Sequence, residues 1–153
     1  MKRLLISALA AGALLATQAG IASAGEYAGG AKRGGEFSVS FQAVFVGNKP
    51  VEVRHFRFRK VPMTCEEGGP FLTKSGKPGF GPMNVNSERR FHGVFSANQG
   101  DVKVVIRGEF KAHGKVAGTL RVSGDYAPNP ATGFPGASDC SSGRREWQAQ
   151  LSD

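Results

Sequence analysis

Few residues of this chain have both the type and the spacing that chemistry requires. The three histidines, His55, His92 and His113, stand at unrelated spacings, and none forms an i, i+2 or i, i+4 pair with another ligand type, as zinc sites often do. The residues at 141–143, Ser-Ser-Gly, lack the flanking glycine pattern and the strand–turn–helix setting of a nucleophile elbow. The sequence therefore predicts no catalytic residue, no metal ligand and no bound cofactor.

The acidic residues leave one enzymatic alternative open. Glu66 and Glu67 begin the first of two long loops rich in proline and glycine. Asp125 and Asp139 lie in the second of these loops. A glycosidase needs two carboxyl groups about 5–10 Å apart across a groove, and a sequence does not set that distance. The alternative function is therefore a small extracellular hydrolase with a site between the two loops.

The two cysteines, Cys65 and Cys140, are the only ones in the chain. In an exported protein such a pair is more often a disulfide than a metal site or a nucleophile, and neither cysteine has a histidine close to it in sequence. We therefore expect a Cys65–Cys140 bridge that fastens both long loops at one end of the molecule.

The N-terminus has the pattern of a signal peptide over residues 1–24. Lys2 and Arg3 precede an apolar run, 4–16, which is shorter than the about 20 residues that span a bilayer. The small residues at 22–24 form a cleavage site, so we expect cleavage after Ala24, with an uncleaved anchor as the alternative. The mature protein is then secreted or periplasmic, bacterial in style and without a membrane span.

The charge of the chain is strongly positive. Twenty Lys and Arg stand against 12 Asp and Glu, a formal net charge of +8, and removal of Lys2 and Arg3 with the signal peptide leaves +6. Such an excess favours acidic partners. The basic residues are scattered, whereas nucleic-acid binding requires a concentrated stripe with stacking aromatics, so nucleic acid is not the expected partner.

A phase change in the second predicted strand determines where two arginines point. Apolar residues lie on odd positions at Val51 and Val53 but on even positions at Phe56 and Phe58. One extra residue near 54–55, a β-bulge, keeps all four on the core side.

Arg57 and Arg59 then both point to solvent. Residues i and i+2 of a strand lie about 7 Å apart on one face, so the two arginines could contact successive anionic groups. They are the candidate anion-binding residues. Charged residues on an exposed strand also prevent edge-to-edge aggregation, which is the alternative interpretation.

Period-two alternation predicts an all-β protein, with no segment of sustained helical periodicity. The predicted strands cover residues 37–45, 51–61, 90–96, 102–110, 116–123 and 145–151. Strands joined by turns indicate an antiparallel β-sandwich with one disulfide, or alternatively a small barrel.

The mature chain, 25–153, is long enough for a single domain. Its glycine-rich beginning, 25–34, is expected to be a flexible lead-in. Pro62 is expected to end the second strand. The loops 66–84 and 125–143 are expected to be irregular and to fold some aromatics inward, and the sequence leaves open whether they form a cleft.

The C-terminal third carries a motif of the form C-x-S-G-x3-W-x-A, from Cys140 to Ala149. With the hairpin at 114–120, the mid-chain Cys65 and the phenylalanine-rich early strands, it resembles small exported bacterial all-β proteins with no assigned activity. The resemblance implies the fold and carries over no catalytic residue. We expect Trp147 to be buried as part of the core, and not exposed as a sugar-binding platform.

The function expected from the sequence is that of an exported, non-enzymatic interaction or envelope-associated domain. Its excess of positive charge favours an anionic envelope component as the partner, and another protein is the other possibility.

Overall fold

The protein is described here by a computed structural model that covers residues 22–98 and 101–152. Residues 1–21, which hold most of the predicted signal peptide, lie outside the described residues. Eleven strands are present in the described ranges. They are β1 Ala22–Ala31, β2 Ser38–Val46, β3 Lys49–Arg59, β4 Val61–Met63, β5 Phe71–Thr73, β6 Met83–Asn84, β7 Arg90–Ala97, β8 Val102–Phe110, β9 Lys115–Tyr126, β10 Ala137–Ser141 and β11 Arg145–Leu151. Within the described ranges, no helix is long and apolar enough to cross a membrane.

Nine of the eleven strands form one antiparallel sheet that curls into a nearly closed barrel, with β10 added beside β9. From one side to the other, the strand order is β6-β3-β2-β1-β11-β9-β8-β7. The two ends of this order meet where Val85, next to β6, bridges Phe91 of β7. The all-β fold predicted from the sequence is therefore confirmed. The sequence left a sandwich and a small barrel open, and the nearly closed sheet is closer to the barrel.

The inside of the barrel is filled by aromatic side chains. Trp147 is fully buried, and its ring lies 5.4 Å from that of Phe56 and 5.9 Å from that of Phe41, measured between centroids. Phe41 also packs against Phe91 at 6.1 Å. The prediction that Trp147 belongs to the core is confirmed.

Two directly paired glycines make room for these rings. Gly108 of β8 pairs with Gly118 of β9. On the neighbouring strands, Phe91 of β7 pairs with Gly108 and Trp147 of β11 pairs with Gly118. A Cβ atom on Gly108 would overlap the Phe91 ring, and one on Gly118 would overlap the Trp147 ring. The aromatic side chains thus occupy the volume that the two glycines leave free.

The glycine-rich segment expected to be a flexible lead-in is a strand instead. β1 pairs with β2 on one side and with β11 on the other, so it closes the sheet. Tyr27 is only 4% exposed and stacks on Phe41 with centroids 5.1 Å apart. A Cβ on Gly29 would overlap the backbone of Gln148, so this glycine permits close approach of two strands.

The predicted β-bulge in β3 is present. The register passes from Ser40 paired with Arg57 to Gln42 paired with Arg54, which leaves His55 and Phe56 opposite a single residue. His55 takes a left-handed backbone conformation, with φ of 52°. Phe56 and its neighbours Val53 and Phe58 are buried. A second register shift leaves Pro50 buried and Val51 only half-buried.

The beginning of the first long loop meets the end of the second at one place, which we call the bridged end. Cys65 and Cys140 form the predicted disulfide there. Short backbone pairings flank it, Thr64 with Ser141 and Glu67 with Ser138.

The expectation that Pro62 ends strand pairing is wrong. Pro62 lies within β4, which pairs with β5 in a separate two-stranded ribbon. The ladder of β3 with β2 ends at Arg59, and Lys60 takes a positive φ of 55°. The chain therefore turns at Lys60, before the proline, and starts a new strand.

An aromatic contact joins the loops to each other. Phe71 of β5 packs edge-on against Tyr126 at the end of β9, with ring centroids 4.9 Å apart, and also contacts Phe134. Tyr126 hydrogen-bonds Thr73 at 3.3 Å. Some aromatics of the loops thus turn inward, as the sequence predicts.

Candidate functional site

The candidate anion-binding arginines lie on the outer face of β3, beyond the bulge. Arg59 is exposed and Arg57 is half-buried. The Arg57 Nε donates a hydrogen bond to the carbonyl oxygen of Pro78, at 3.2 Å. This contact holds the Arg57 side chain against the first long loop, so its position is set by the fold.

A groove of about 690 Å³ runs between the end of β3 and the loop segment 72–77. We call it the β3 groove. Five cationic side chains line it: Arg57, Arg59, Lys60, Lys74 and Lys77. Among the described residues, no carboxylate belongs to its lining. The arrangement concentrates positive charge around one surface depression.

Backbone contacts hold the loop beside β3 and so define the groove. The Ser75 Oγ accepts a hydrogen bond from the Phe58 amide, and the Ser75 amide donates to the Phe58 carbonyl, both at 3.0 Å. Further along, Phe56 and Phe80 exchange two backbone hydrogen bonds of 2.8 Å. A Cβ on Gly79 would overlap the Phe56 carbonyl, so the loop approaches β3 as closely as glycine allows.

One of the five cations has an acidic partner nearby. The Lys60 ammonium lies 3.4 Å from the Glu36 carboxylate, and both side chains are largely exposed. Pairs of this kind contribute little, because water competes for both charges. Lys60 can therefore exchange Glu36 for another anion at small cost.

Sequence reasoning found Arg57 and Arg59 but missed the two loop lysines. Lys74 and Lys77 are 15 or more positions from Arg59 in sequence, and they reach it only because the loop folds back. Basic residues from two separate segments of the sequence, 57–60 and 74–77, thus converge in space. The one signal available in the sequence was the presence of lysines without nearby acids in the loop after Cys65.

The carboxylates of the hydrolase alternative separate into two groups. Glu67 and Asp125 line a second groove of about 640 Å³ between the two loops, and Asp101 joins them there. Glu66 and Asp139 do not belong to its lining. The sequence did not determine whether the two loops form a cleft, and the structure shows that they form this groove.

Two of the three carboxylates that line this groove accept hydrogen bonds from the segment 138–139. Asp125 Oδ1 accepts a hydrogen bond of 2.8 Å from the Asp139 amide, and Glu67 Oε2 accepts one of 3.3 Å from the Ser138 hydroxyl. Their side chains are on exposed residues. Both carboxylates thus help to hold the 137–139 segment in place, which is a structural role.

The three histidines are all exposed and lie far apart in the fold. His55 lies at the bulge of β3, His113 lies in the turn between β8 and β9, and His92 lies on the outer face of β7. Within residues 22–98 and 101–152, no group of three or more His, Cys, Asp or Glu side chains could hold a metal ion.

Comparisons with known proteins add no relatives. No protein-family model matches the chain, and no curated protein or solved structure matches it. The resemblance of the C-terminal motif to small exported β-proteins therefore stays a prediction.

Proposed function

We propose that this protein is an exported, non-enzymatic binding domain that holds an anionic polymer of the cell envelope in the β3 groove. The observation that carries the proposal is the set of five cations around a groove whose lining contains no carboxylate among the described residues. Such a site attracts extended anions through long-range electrostatics and releases them as salt increases.

The geometry of the groove suits a chain of repeating negative charges. Arg57 and Arg59 are two positions apart on one face of β3, which places them about 7 Å from each other along the strand. Lys74 and Lys77 face them from the loop. A polymer lying in the groove would meet cations on both walls, and a single small anion would use only some of them.

Two further features support export. The predicted signal peptide directs the chain out of the cytoplasm. The Cys65–Cys140 disulfide is compatible with an extracellular or periplasmic location, because such bonds persist in oxidising compartments.

Binding to two soluble polymers tests the proposal: polygalacturonate, which carries carboxylates, and polyphosphate. We expect the wild-type protein to bind at least one of them at low salt and more weakly at physiological salt. The Arg57→Gln/Arg59→Gln variant is expected to bind severalfold more weakly, because exposed ion pairs contribute up to about 1 kcal/mol each.

The matched control is Lys103→Gln/Lys115→Gln, which removes the same charge from β8 and β9, outside the β3 groove. It is expected to bind as the wild type does. If both double variants lost polymer affinity equally, binding would depend on net charge alone and not on the β3 groove. If the wild type bound neither polymer, the proposal would be refuted. Hydrolysis of polygalacturonate would favour the hydrolase alternative instead.

A further inference from the structure

A second basic depression lies on the outer face of the sheet formed by β7, β8 and β9. We call it the outer-face groove. Its volume is about 720 Å³. The charged and hydroxyl side chains that line it are Arg90, His92, Arg107, Glu109, Thr119 and Arg144. None of these residues lines the β3 groove, so the two sites are separate.

The register of the sheet places three of these side chains in one row. His92 of β7 is directly opposite Arg107 of β8, and Arg107 is directly opposite Thr119 of β9. Side chains of directly opposed residues begin about 5 Å apart on the same face. An imidazole, a guanidinium and a hydroxyl therefore lie side by side, all on the outer face.

The single carboxylate of the lining is already engaged by cations. Glu109 lies 2.7 Å from the Lys111 ammonium and 3.5 Å from the Arg90 guanidinium. The hydrogen bond from Lys111 is the main reason that the pKa of Glu109 lies below its ordinary value. Arg90 also contacts Glu88 at 2.9 Å. The negative charge of Glu109 is thus balanced by Lys111 and Arg90, and it does not offset the charges of the other arginines in the groove.

Arg107 and Arg144 have no such neutralisation. In the part of the chain that the structure describes, neither guanidinium forms an ion pair or a side-chain hydrogen bond. Two guanidiniums without ion pairs thus lie in one groove with an imidazole and a hydroxyl.

The floor beneath these donors is rigid. It consists of the paired backbone of Gly108 and Gly118, whose inner side is filled by the rings of Phe91 and Trp147. Side chains on well-packed strands hold their positions better than those on loops. The backbone positions of His92, Arg107 and Thr119 are therefore fixed by the sheet, and Arg144 precedes β11 by one residue.

We propose that the outer-face groove binds a phosphoryl group, either as free phosphate or as the headgroup of a phosphomonoester. A phosphoryl group is compact, carries up to two charges and presents several acceptor oxygens. Arginine matches it because the guanidinium donates two parallel hydrogen bonds to such oxygens. Arg107 and Arg144 supply the charge, and Thr119 and His92 supply further hydrogen bonds from the two neighbouring strands.

Calorimetric titration with inorganic phosphate at constant ionic strength tests the site. The Arg107→Gln/Arg144→Gln variant is expected to bind phosphate at least about tenfold more weakly than the wild type, since a charge-assisted hydrogen bond contributes enough for that factor. Thr119→Val, which keeps the size and removes the hydroxyl, is expected to weaken binding severalfold. Thermal unfolding of each variant checks that its fold is intact.

Two controls separate this site from general positive charge and from the proposed polymer groove. Lys103→Gln/Lys115→Gln removes two charges from the same strands outside the outer-face groove, and Arg57→Gln/Arg59→Gln alters the β3 groove only. Both are expected to bind phosphate like the wild type. An equal loss in either control, or no phosphate binding by the wild type, would overturn the inference.

Vesicles identify the source of the phosphoryl group. Binding to phosphatidic acid vesicles that Arg107→Gln/Arg144→Gln abolishes would support the site and assign a lipid headgroup. Binding of inorganic phosphate alone, with the same dependence on the two arginines, would support the site and assign a free ion. Vesicle binding that the two arginines do not affect, together with phosphate binding that they do not affect, would contradict the proposal.

Discussion

Gly118 and Trp147 share one volume inside the barrel, and this sharing fixes what each position can hold. The indole ring lies where a side chain of residue 118 would begin. Trp147 in turn contacts Phe41, Phe56 and Phe91, so it cannot move aside without displacing other rings. A single methyl group at position 118 would therefore displace several packed side chains of the core.

Gly118→Ala is expected to lower the free energy of unfolding by about 1–3 kcal/mol, the usual cost of overpacking a closely packed core. Chemical denaturation measures it. The matched control is Gly76→Ala, because a Cβ at Gly76 has no neighbouring atom within 4 Å. Equal stability of the Gly118→Ala variant and the wild type would show that the indole ring and the Arg107 carbonyl, which a Cβ would also overlap, can both shift.

The two tyrosines, Tyr27 and Tyr126, provide a pH test of burial. Burial raises the pKa of each phenol above its ordinary value of 10.0, and this outweighs the opposite effects of Arg89 on Tyr27 and of Thr73 on Tyr126. The folded protein therefore retains protons that the unfolded chain releases. Stability should be unaffected below about pH 10 and should fall as pH rises above it.

Phenolate absorbance during an alkaline titration checks this expectation. The chain has only these two tyrosines, so Tyr27→Phe and Tyr126→Phe assign each transition. A transition of either tyrosine at its ordinary pKa in the folded protein would show that its phenol is in contact with water.

At the scale of elements, strands with a clear period of two were predictable and β1 was not. The alternation of Val102 to Phe110 reads directly as β8, and the phase change in β3 reads as a bulge. β1 is different because its Gly29 allows the backbone to come close to β11. A glycine-rich composition alone does not show whether the glycines allow such an approach or make the segment flexible.

The candidate site was predictable to the same extent. The outward direction of Arg57 and Arg59 follows from the bulge, a local feature of the sequence. The approach of Lys74 and Lys77 depends on the loop path, which is set by contacts such as the Phe56–Phe80 bridge. The pairing of His92 with Arg107 depends on the strand register. Long-range pairings of this kind leave no local signal.

The role of β1 can be tested by truncation. A protein that begins at Gly25, as cleavage after Ala24 would produce, keeps the whole register from Tyr27 to Ala31 with β11 and should fold normally. A protein that begins at Lys32 lacks β1, so β2 and β11 lose their partner and the barrel is open. For the shorter protein alone, circular dichroism should show that cooperative unfolding is lost, and size-exclusion chromatography should show that the protein self-associates. Normal unfolding of that protein would mean that β1 is dispensable.

For the whole molecule, the disulfide stabilises the loops at the bridged end more directly than it stabilises the barrel. Neither cysteine belongs to the ring of strands that forms the barrel, since Cys140 lies in β10 and Cys65 follows β4. The bond closes 75 positions of sequence, which the chain-entropy model equates with about 4.5 kcal/mol at most.

Cys65→Ser/Cys140→Ser is expected to lower the free energy of unfolding by a few kcal/mol and to leave the strand content unchanged. Denaturation monitored by circular dichroism measures both quantities, and limited proteolysis should cut the two long loops faster. Thiol titration of the denatured, unreduced wild type should find no free thiol. An unchanged denaturation midpoint in the variant would contradict the expected contribution of the bond.

The pairing of β1 with β11 also determines when folding can finish. Tyr27 pairs with Leu151, 124 positions later, so the sheet cannot close until β11 has been synthesised. Until then the edges of β1 and β9, the two neighbours of β11, present unpaired backbone groups, which other chains can bind. Folds dominated by such distant pairings are slow, on the order of milliseconds to seconds. If the protein is exported as proposed above, this delay keeps the chain open for longer before its barrel closes.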